Sequence, residues 1–333
     1  MGNRVIRNPL VGIASYLWSS LNFYIRIVYK LGLLPKQHLG VRTISVGNIQ
    51  AGGSGKTPIV MDIVRRALGH RLRPLVLSRG YGGQWERSGG VLIGLEKSFS
   101  PRECGDEPYL IKSSYPDVVV GVCGDRLKSF KLAEAERKKC NLPPFDLVIL
   151  DDGLQQFSIL RDRNISTYTG ISPYQTVYRD YASTLLDVDA WVNTRSASRR
   201  PMRCGQFFST KRKLKPWGLS LGSHKAVILV AGIGDPETFA SDVRELGFQV
   251  HEHYFYPDHF DYPESELHRH LERARALDLK IGTTRKDFVK WDIPENDKAR
   301  VIVFDLELEF VSLDGRGQSK SQEEEWERFL FQK

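Results

Sequence analysis

At 333 residues the chain is long enough for two domains, each with its own core. A hydrophobic content of 41% and a charged content of 26% are ordinary for a globular protein and set aside a disordered or fibrous one. The formal charge of +8 favours polyanions, acidic membranes or phosphorylated substrates, and it is unevenly placed: residues 1–61 contain no Asp or Glu but carry Arg4, Arg7, Arg26, Lys30, Lys36, Arg42 and Lys56.

The first element is the apolar stretch "PLVGIASYLWSSLNFYIRIVYKLGLLP". It lacks the small-residue cleavage site of a signal peptide, and Asn22, Arg26 and Lys30 interrupt the ~20 apolar residues that a membrane span needs. The interruptions are periodic. Ser15, Ser19, Asn22, Arg26 and Lys30 mark one helix face, and Leu10, Ile13, Leu17, Leu21, Tyr24, Val28 and Leu31 mark the opposite one. A basic stripe with Trp18, Phe23 and Tyr24 and no acid fits a helix lying in an anionic membrane surface. A helix packed on the protein's own core is the alternative.

Next, "RTISVGN" (42–48) predicts a strand and "PIVMDIVRRAL" (58–68) a helix. Between them lies "IQAGGSGKT", which ends like the phosphate loop G-x-x-x-x-G-K-[ST] but has Gln50 at the first glycine position. Gly52, Gly53 and Gly55 remain where the backbone must approach a phosphate, with Ser54 among them. Backbone N–H groups at the helix start would hold phosphate oxygens, Lys56 would reach the β/γ-phosphates, and the Thr57 hydroxyl would ligate Mg²⁺. A tight turn with an incidental lysine is the plainer alternative.

Further apolar runs follow: "PLVLS" (74–78) leading to Arg79 and Tyr81, "DVVVGV" (117–122) leading to Arg126, and "FDLVIL" (145–150) leading to Asp151 and Asp152. Helical stretches such as "LKSFKLAEAERKK" separate them. Continuous apolar strands alternating with helices predict an α/β fold with a doubly wound, mostly parallel sheet, in which ligands bind beyond the carboxyl ends of the strands. An apolar strand ending in Asp also suits Mg²⁺, so Asp151 and Asp152 are candidate metal residues beside Thr57. A lone strand-end Asp is otherwise a cap or turn residue.

In the second half, "DVDAWVN" (187–193) predicts another core strand. "TRSASRRPMRCGQ" is a polar, basic junction, and "KAVILVAGIGDPETFASDVRELGFQVHEH" reads strand, turn, helix, strand. "DGRGQSKSQEEEWERF" reads as a polar loop entering a short amphipathic helix. The four cysteines show no metal or redox spacing, and His251-x-His253 lacks a third ligand.

An ordered set of stretches spanning nearly the whole chain resembles the tetraacyldisaccharide 4'-kinase family of lipid A biosynthesis. They are "VGNIQAGGSGKTP", "LSRGYGG", "GDEP", "DDGLQQFSILRD", "AGIGDPETF", "YPDHFDY" and "TTRKD". That family's phosphate loop has a non-glycine at the first position, which accounts for Gln50. The resemblance implies a P-loop NTPase-like core with a second, smaller α/β domain, and the expected division is 1–40 membrane-associating helix, 41–198 kinase core and 199–333 C-terminal domain. It implies transfer of the γ-phosphate of MgATP to the 4'-hydroxyl of tetraacyldisaccharide 1-phosphate, a glycolipid, at the cytoplasmic face of the inner membrane. It implies that Asp106 accepts the sugar hydroxyl proton, that His259 pairs with that base, and that Arg126 serves a phosphate or the transition-state charge. Arg79, Tyr81, Arg179 and Asp180 match substrate-side or nucleotide-side positions. Departures are Asp180 where glutamate is usual, Tyr181 for proline, Gln156 and Phe260 for histidines and Arg285 for glutamate. A P-loop ATPase or GTPase switch is the competing class, although no N-K-x-D motif is present; a nucleic-acid protein ranks third, on charge alone. No obligate protein partner is evident.

Overall fold

Alternation of buried side chains explains why the apolar runs become central strands. In "LVILD", Leu147 and Ile149 pack into one core layer while Val148 and Leu150 pack into another, and in "PLVLS" Val76 faces the first layer while Leu75 and Leu77 face the second. A strand buried on both sides has no polar face to show, which is the signature of a helix-covered parallel sheet. The computed structural model describes residues 9–49, 55–94, 99–169, 179–180, 187–194, 205–217, 225–312 and 319–332.

The chain forms two compact units, Met1–Lys211 with Leu308–Lys333, and Arg212–Glu307. In chain order the first contains α1 (Pro9–Lys30), β1 (Arg42–Gly47), α2 (Lys56–Gly69), β2 (Pro74–Ser78), α3 (Trp85–Ser88), β3 (Gly90–Leu92), α4 (Pro101–Cys104), α5 (Asp106–Ser114), β4 (Val119–Val122), α6 (Arg126–Lys139), β5 (Leu147–Asp151), β6 (Arg163–Tyr168) and β7 (Ala190–Asn193). Strand β8 (Gln206–Trp217) begins in this unit and runs on into the second. The strand order in the first unit is β8-β7-β6-β1-β5-β2-β4-β3, parallel except for β3. The winding reverses at β1, which has β5 on one side and β6 on the other, so the loop after β1 opens at the switch point where such sheets bind ligands.

The second unit contains β9 (Ala226–Ala231), α7 (Pro236–Glu245), β10 (Gln249–Phe255), α8 (Glu264–Ala276), β11 (Lys280–Thr284), α9 (Arg285–Phe288) and α10 (Glu295–Lys298). Strand β12 (Val301–Val311) begins there and returns the chain to the first unit, where α11 (Lys320–Phe331) ends it. Strand β9 pairs in parallel with β10 and β11, and β11 with β12. The same alternation holds: Ile228 and Val230 meet Leu267 and Leu271 of α8, while Val227, Leu229 and Ala231 meet Phe239 and Val243 of α7.

The unit boundary differs from a division at residue 198, because α11 packs on the first unit. The cause is Trp326, which is fully buried, stacks on Phe329, meets Phe208 edge to face at 4.9 Å and donates from Nε1 to Asp62 Oδ2 of α2 at 2.9 Å. Residues 195–204 and 313–318 of the two polar connections lie outside the described residues.

Helix α1 forms as the periodicity predicts, but its polar face points inward. Ser19, Asn22 and Arg26 are 3%, 9% and 6% exposed, while Ile13, Leu17, Leu21 and Tyr24 are 55%, 61%, 53% and 66% exposed. The basic stripe expected to face an acidic surface instead makes internal ion pairs, Arg26 with Asp180 and Lys30 with Asp187.

Removing the Trp326 ring leaves a large cavity and an Asp62 carboxylate short of one donor. Trp326→Ala should cost about 3–5 kcal/mol in urea unfolding followed by circular dichroism.

Candidate active site

The site begins with Gly55, the last residue before α2. Its φ of 73° is left-handed, and a Cβ there would stand 3.0 Å from the Thr194 side chain, so glycine is required twice over. It turns the chain so that Lys56 and Thr57 open the helix with no acid in the first turn, leaving the amides and dipole free for an anion. Gly52, Gly53 and Ser54, the other predicted nucleotide contacts, lie outside the described residues.

Beside β1 runs β5, in a register that sets Val46 against Asp151. The phosphate-loop strand and the acidic strand end therefore emerge together. Asp151 is 1% exposed, accepts from Ser78 Oγ at 2.9 Å through Oδ2, and keeps a buried Oδ1 with no hydrogen-bond partner. Burial pushes its carboxyl up to about 7, and the Glu107 and Asp152 carboxylates push the same way against the weaker pull of Ser78 and Arg126. Asp152 is held differently. Burial alone would raise its carboxyl, but Lys56 and Arg179 outweigh that and hold it at about 2. Arg179 grips it with two bonds, Nη1 to Oδ2 at 2.9 Å and Nη2 to Oδ1 at 3.1 Å, and Lys56 Nζ stands 3.6 Å from Oδ1.

Asn48 was not singled out from the sequence, yet it joins these groups. It is fully buried, and its Oδ1 accepts from Lys56 Nζ at 3.2 Å and from Arg179 Nη2 at 2.7 Å. Its only sequence signal is its place directly after β1 in "VGNIQ". Gln155, which donates to the Asn48 carbonyl at 3.3 Å, and Glu107, which acts on Asp151 through charge, were likewise visible only as members of "DDGLQQ" and "GDEP".

Asp106 is the first residue of α5. The chain reaches that point through a close approach: a Cβ on Gly80 would meet the Cys104 carbonyl oxygen at 2.6 Å, so the loop after β2 lies directly on the start of α5. Arg79 and Tyr81 sit on this loop, Arg79 bonded to Glu86 at 2.6 Å and Tyr81 64% exposed. Arg126 is spent on the backbone: Nη1 donates to the Cys123 carbonyl at 2.8 Å and Nη2 to the Asp151 carbonyl at 2.9 Å, with the side chain fully enclosed. It braces the ends of β4 and β5 from behind. Asp180 is also buried, paired with Arg26 at 2.5 Å. His259 belongs to the second unit, between β10 and α8, with a left-handed φ of 62°; its backbone N–H donates to the Gly232 carbonyl at 3.3 Å and its Nε2 lies 3.2 Å from Lys286 Nζ.

Mg²⁺ fits this donor set. Asp151 offers a buried, unpartnered carboxylate oxygen that feels the charges of Glu107 and Asp152, and Thr57 stands in the first turn of α2. Among the described residues no group of three or more His, Cys, Asp or Glu could hold a metal.

A glycine-capped helix with Lys-Thr, an acidic strand end beside it and a doubly wound parallel sheet define a P-loop kinase fold. The chain belongs to the tetraacyldisaccharide-1-P 4'-kinase family, whose model matches residues 8–320. It is 31% identical over 298 residues to the tetraacyldisaccharide 4'-kinase of Pelobacter propionicus, covering 83% of this chain and 81% of that one. It is 32% identical over 310 residues to the enzyme of that name from Syntrophus aciditrophicus, covering 81% and 79%. The crystal structure of LpxK from Aquifex aeolicus in complex with ATP superposes with a TM-score of 0.73 at 27% identity, over 97% of this chain and 98% of that one.

The raised Asp151 gives a signed pH dependence. Its folded carboxyl titrates near 7, above the ordinary carboxylate range, so its contribution to stability is full below that range and is lost as pH rises through about 7. Cation binding needs the ionised form and runs the other way. Mg²⁺ affinity of the nucleotide-free protein, measured by titration calorimetry, should rise about tenfold per pH unit up to roughly pH 7 and then level off. Asp151→Asn should remove that slope.

Proposed function

We propose that the chain transfers the γ-phosphate of ATP to the 4'-hydroxyl of tetraacyldisaccharide 1-phosphate, yielding lipid IVA in lipid A biosynthesis. The observation that carries this is the joining of Lys56, Asp152, Arg179 and Asn48 at the ends of β1 and β5, in a chain of the 4'-kinase family. Relatives across 81–83% of the chain bear the kinase name, and the LpxK structure it superposes on was solved with ATP.

In this reading the phosphate loop, with Gly55, Lys56 and Thr57, takes the ATP phosphates, and Lys56 exchanges Asp152 and Asn48 for phosphate oxygens. Thr57, Asp151 and Asp152 would hold Mg²⁺, which would supply positive charge to the phosphate oxygens. Asp106, at the start of α5, accepts the proton of the attacking hydroxyl. Arg126 fixes the Asp151 backbone, and Arg79 and Tyr81 face the substrate.

No helix among the described residues is long and apolar enough to cross a membrane. We assign α1 to the cytoplasmic face of the inner membrane as a peripheral anchor, with its outward Ile13, Tyr16, Leu17, Trp18, Leu21 and Tyr24 immersed at the level where aromatic rings and acyl chains meet. That surface delivers the acylated acceptor.

The test is transfer of label from γ-labelled ATP to the tetraacyldisaccharide 1-phosphate in detergent micelles. Lys56→Ala should lower turnover on the order of 10²–10³-fold, and Asp106→Ala on the order of 10²–10⁴-fold, with unchanged circular dichroism. A Lys56→Ala protein that turns over normally would end the phosphate-loop assignment. Mutant-sensitive ATP hydrolysis without lipid labelling would move the acceptor to another hydroxyl. Replacing Leu17, Leu21 and Tyr24 together by serine should reduce recovery on anionic vesicles at least about tenfold; equal sedimentation of mutant and parent would reject α1 as the anchor.

A further inference from the structure

An anchor helix needs only its apolar face, and its polar face can be left to water. Helix α1 does something costlier. Arg26 is buried, its guanidinium lying over the Phe157 ring at 5.1 Å and donating from Nη2 to Asp180 Oδ2 at 2.5 Å. One turn earlier, buried Asn22 donates from Nδ2 to the Arg179 carbonyl at 2.9 Å. Taking a guanidinium and a carboxylate out of water gains little net stability when an apolar contact could fill the same space. The two bonds instead fix one short segment, residues 179 and 180.

That segment leads straight to the nucleotide site. The Arg179 backbone N–H donates to the Ile49 carbonyl at 2.8 Å, pinning it beside the end of β1. Its side chain carries the bidentate hold on Asp152 and the bond to Asn48, and Asn48 accepts from Lys56. A second branch runs from Asp180 through Gln155, which lies 3.5 Å from Asp180 Oδ2 and donates to the Asn48 carbonyl. Both branches start on the inward face of α1 and meet at Asn48.

We propose that Arg26 and Asn22 are positioning residues for the nucleotide site. The seating of α1 sets where Arg179 and Asn48 stand, and through them how Lys56 and Asp152 are presented to MgATP. The helix whose outer face is apolar is thereby linked to the phosphate loop by its inner face, so that a displaced anchor loosens nucleotide binding. This rests on the assignment of the Lys56 loop to ATP and is independent of the lipid acceptor.

The experiment uses the full chain on vesicles of phosphatidylethanolamine and phosphatidylglycerol, with a non-hydrolysable ATP analogue and Mg²⁺ as the probe. Asn22→Ala removes one hydrogen bond and leaves no buried charge. Because Arg26→Gln alone takes the Arg26 cation from a buried carboxylate, it is paired with Asp180→Asn, which keeps the shape of that side chain. The double variant should weaken analogue binding about tenfold and Asn22→Ala by severalfold. Vesicle recovery should stay at the parent level, since the outward face is unchanged. Arg26→Lys should restore most of the affinity by keeping a cation on Asp180. Lower melting temperatures with parental analogue affinity in both variants would overturn the inference, leaving these bonds as structural glue. A parent chain that binds no analogue would sink the ATP assignment itself, and the inference with it.

Discussion

The register of β1 against β5 is the constraint on which the candidate site rests. With Val46 beside Asp151, the turn that makes the phosphate loop and the turn that carries the two aspartates leave the sheet at the same level and next to each other. A slip of one residue would bury the wrong alternate set, exchanging Leu147 and Ile149 with Val148 and Leu150 between the two core layers. The hydrophobic pattern thus enforces a polar geometry it does not itself contain. Ser78, at the end of β2 on the far side of β5, completes the arrangement by bonding Asp151 from within the same row of strand ends.

Helix α1 inverts the usual relation between amphipathicity and burial. In water a helix on a globular protein hides its apolar stripe, because burying those side chains is what holds it there. Here ion pairs and hydrogen bonds hold the helix, and the stripe of Ile13, Leu17, Leu21 and Tyr24 is left outside. A contiguous apolar stripe of this kind marks a surface awaiting an apolar neighbour. The acid-free composition of residues 1–61 takes on a second meaning in that light. Arg26 and Lys30 find their anions on Asp180 and Asp187, far along the chain, and so tie the helix to the core.

What the sequence disclosed and what it withheld divide along physical lines. Strands β1, β2, β5 and β9 were legible because continuous apolar runs bounded by glycine or aspartate have few other uses, and the start of α2 at Lys56 and Thr57 was legible because a glycine-rich turn runs straight into helical spacing. Strand β12 escaped notice because its burial changes character along its length, from continuous to interrupted, as it leaves one unit for the other. The pairings Arg26 with Asp180 and Trp326 with Asp62 span 154 and 264 residues, and no local pattern reports such contacts. Arg126 shows the limit most clearly. Its residue type and its place after β4 pointed to a phosphate, but whether a guanidinium faces a ligand or the carbonyls behind it is decided by the χ angles and the packing of α6, which spacing does not encode.

Asp151 and Asp152 are neighbours in sequence with opposite electrostatics, and the difference follows from backbone conformation. Asp151 ends a central strand, and its buried side chain meets the Ser78 hydroxyl, with the Arg126 cation acting on it. Asp152 has a left-handed φ of 52°, which swings its carboxylate away from that direction and toward Lys56 and Arg179. One carboxyl is therefore raised to about 7 and the other lowered to about 2. Asp152 is satisfied without a metal and keeps Lys56 and Arg179 from repelling each other. Asp151 is left short, since its buried Oδ1 has no donor and its ionisation is opposed first by burial and then by Glu107 and Asp152. A divalent cation held there would offset the burial and the neighbouring acids that oppose that ionisation, and phosphates bound at the start of α2 would take the place of Asp152 beside Lys56. One change of backbone direction thus gives two adjacent carboxylates opposite surroundings, one left with an unpartnered oxygen and the other gripped by two bonds from a single guanidinium.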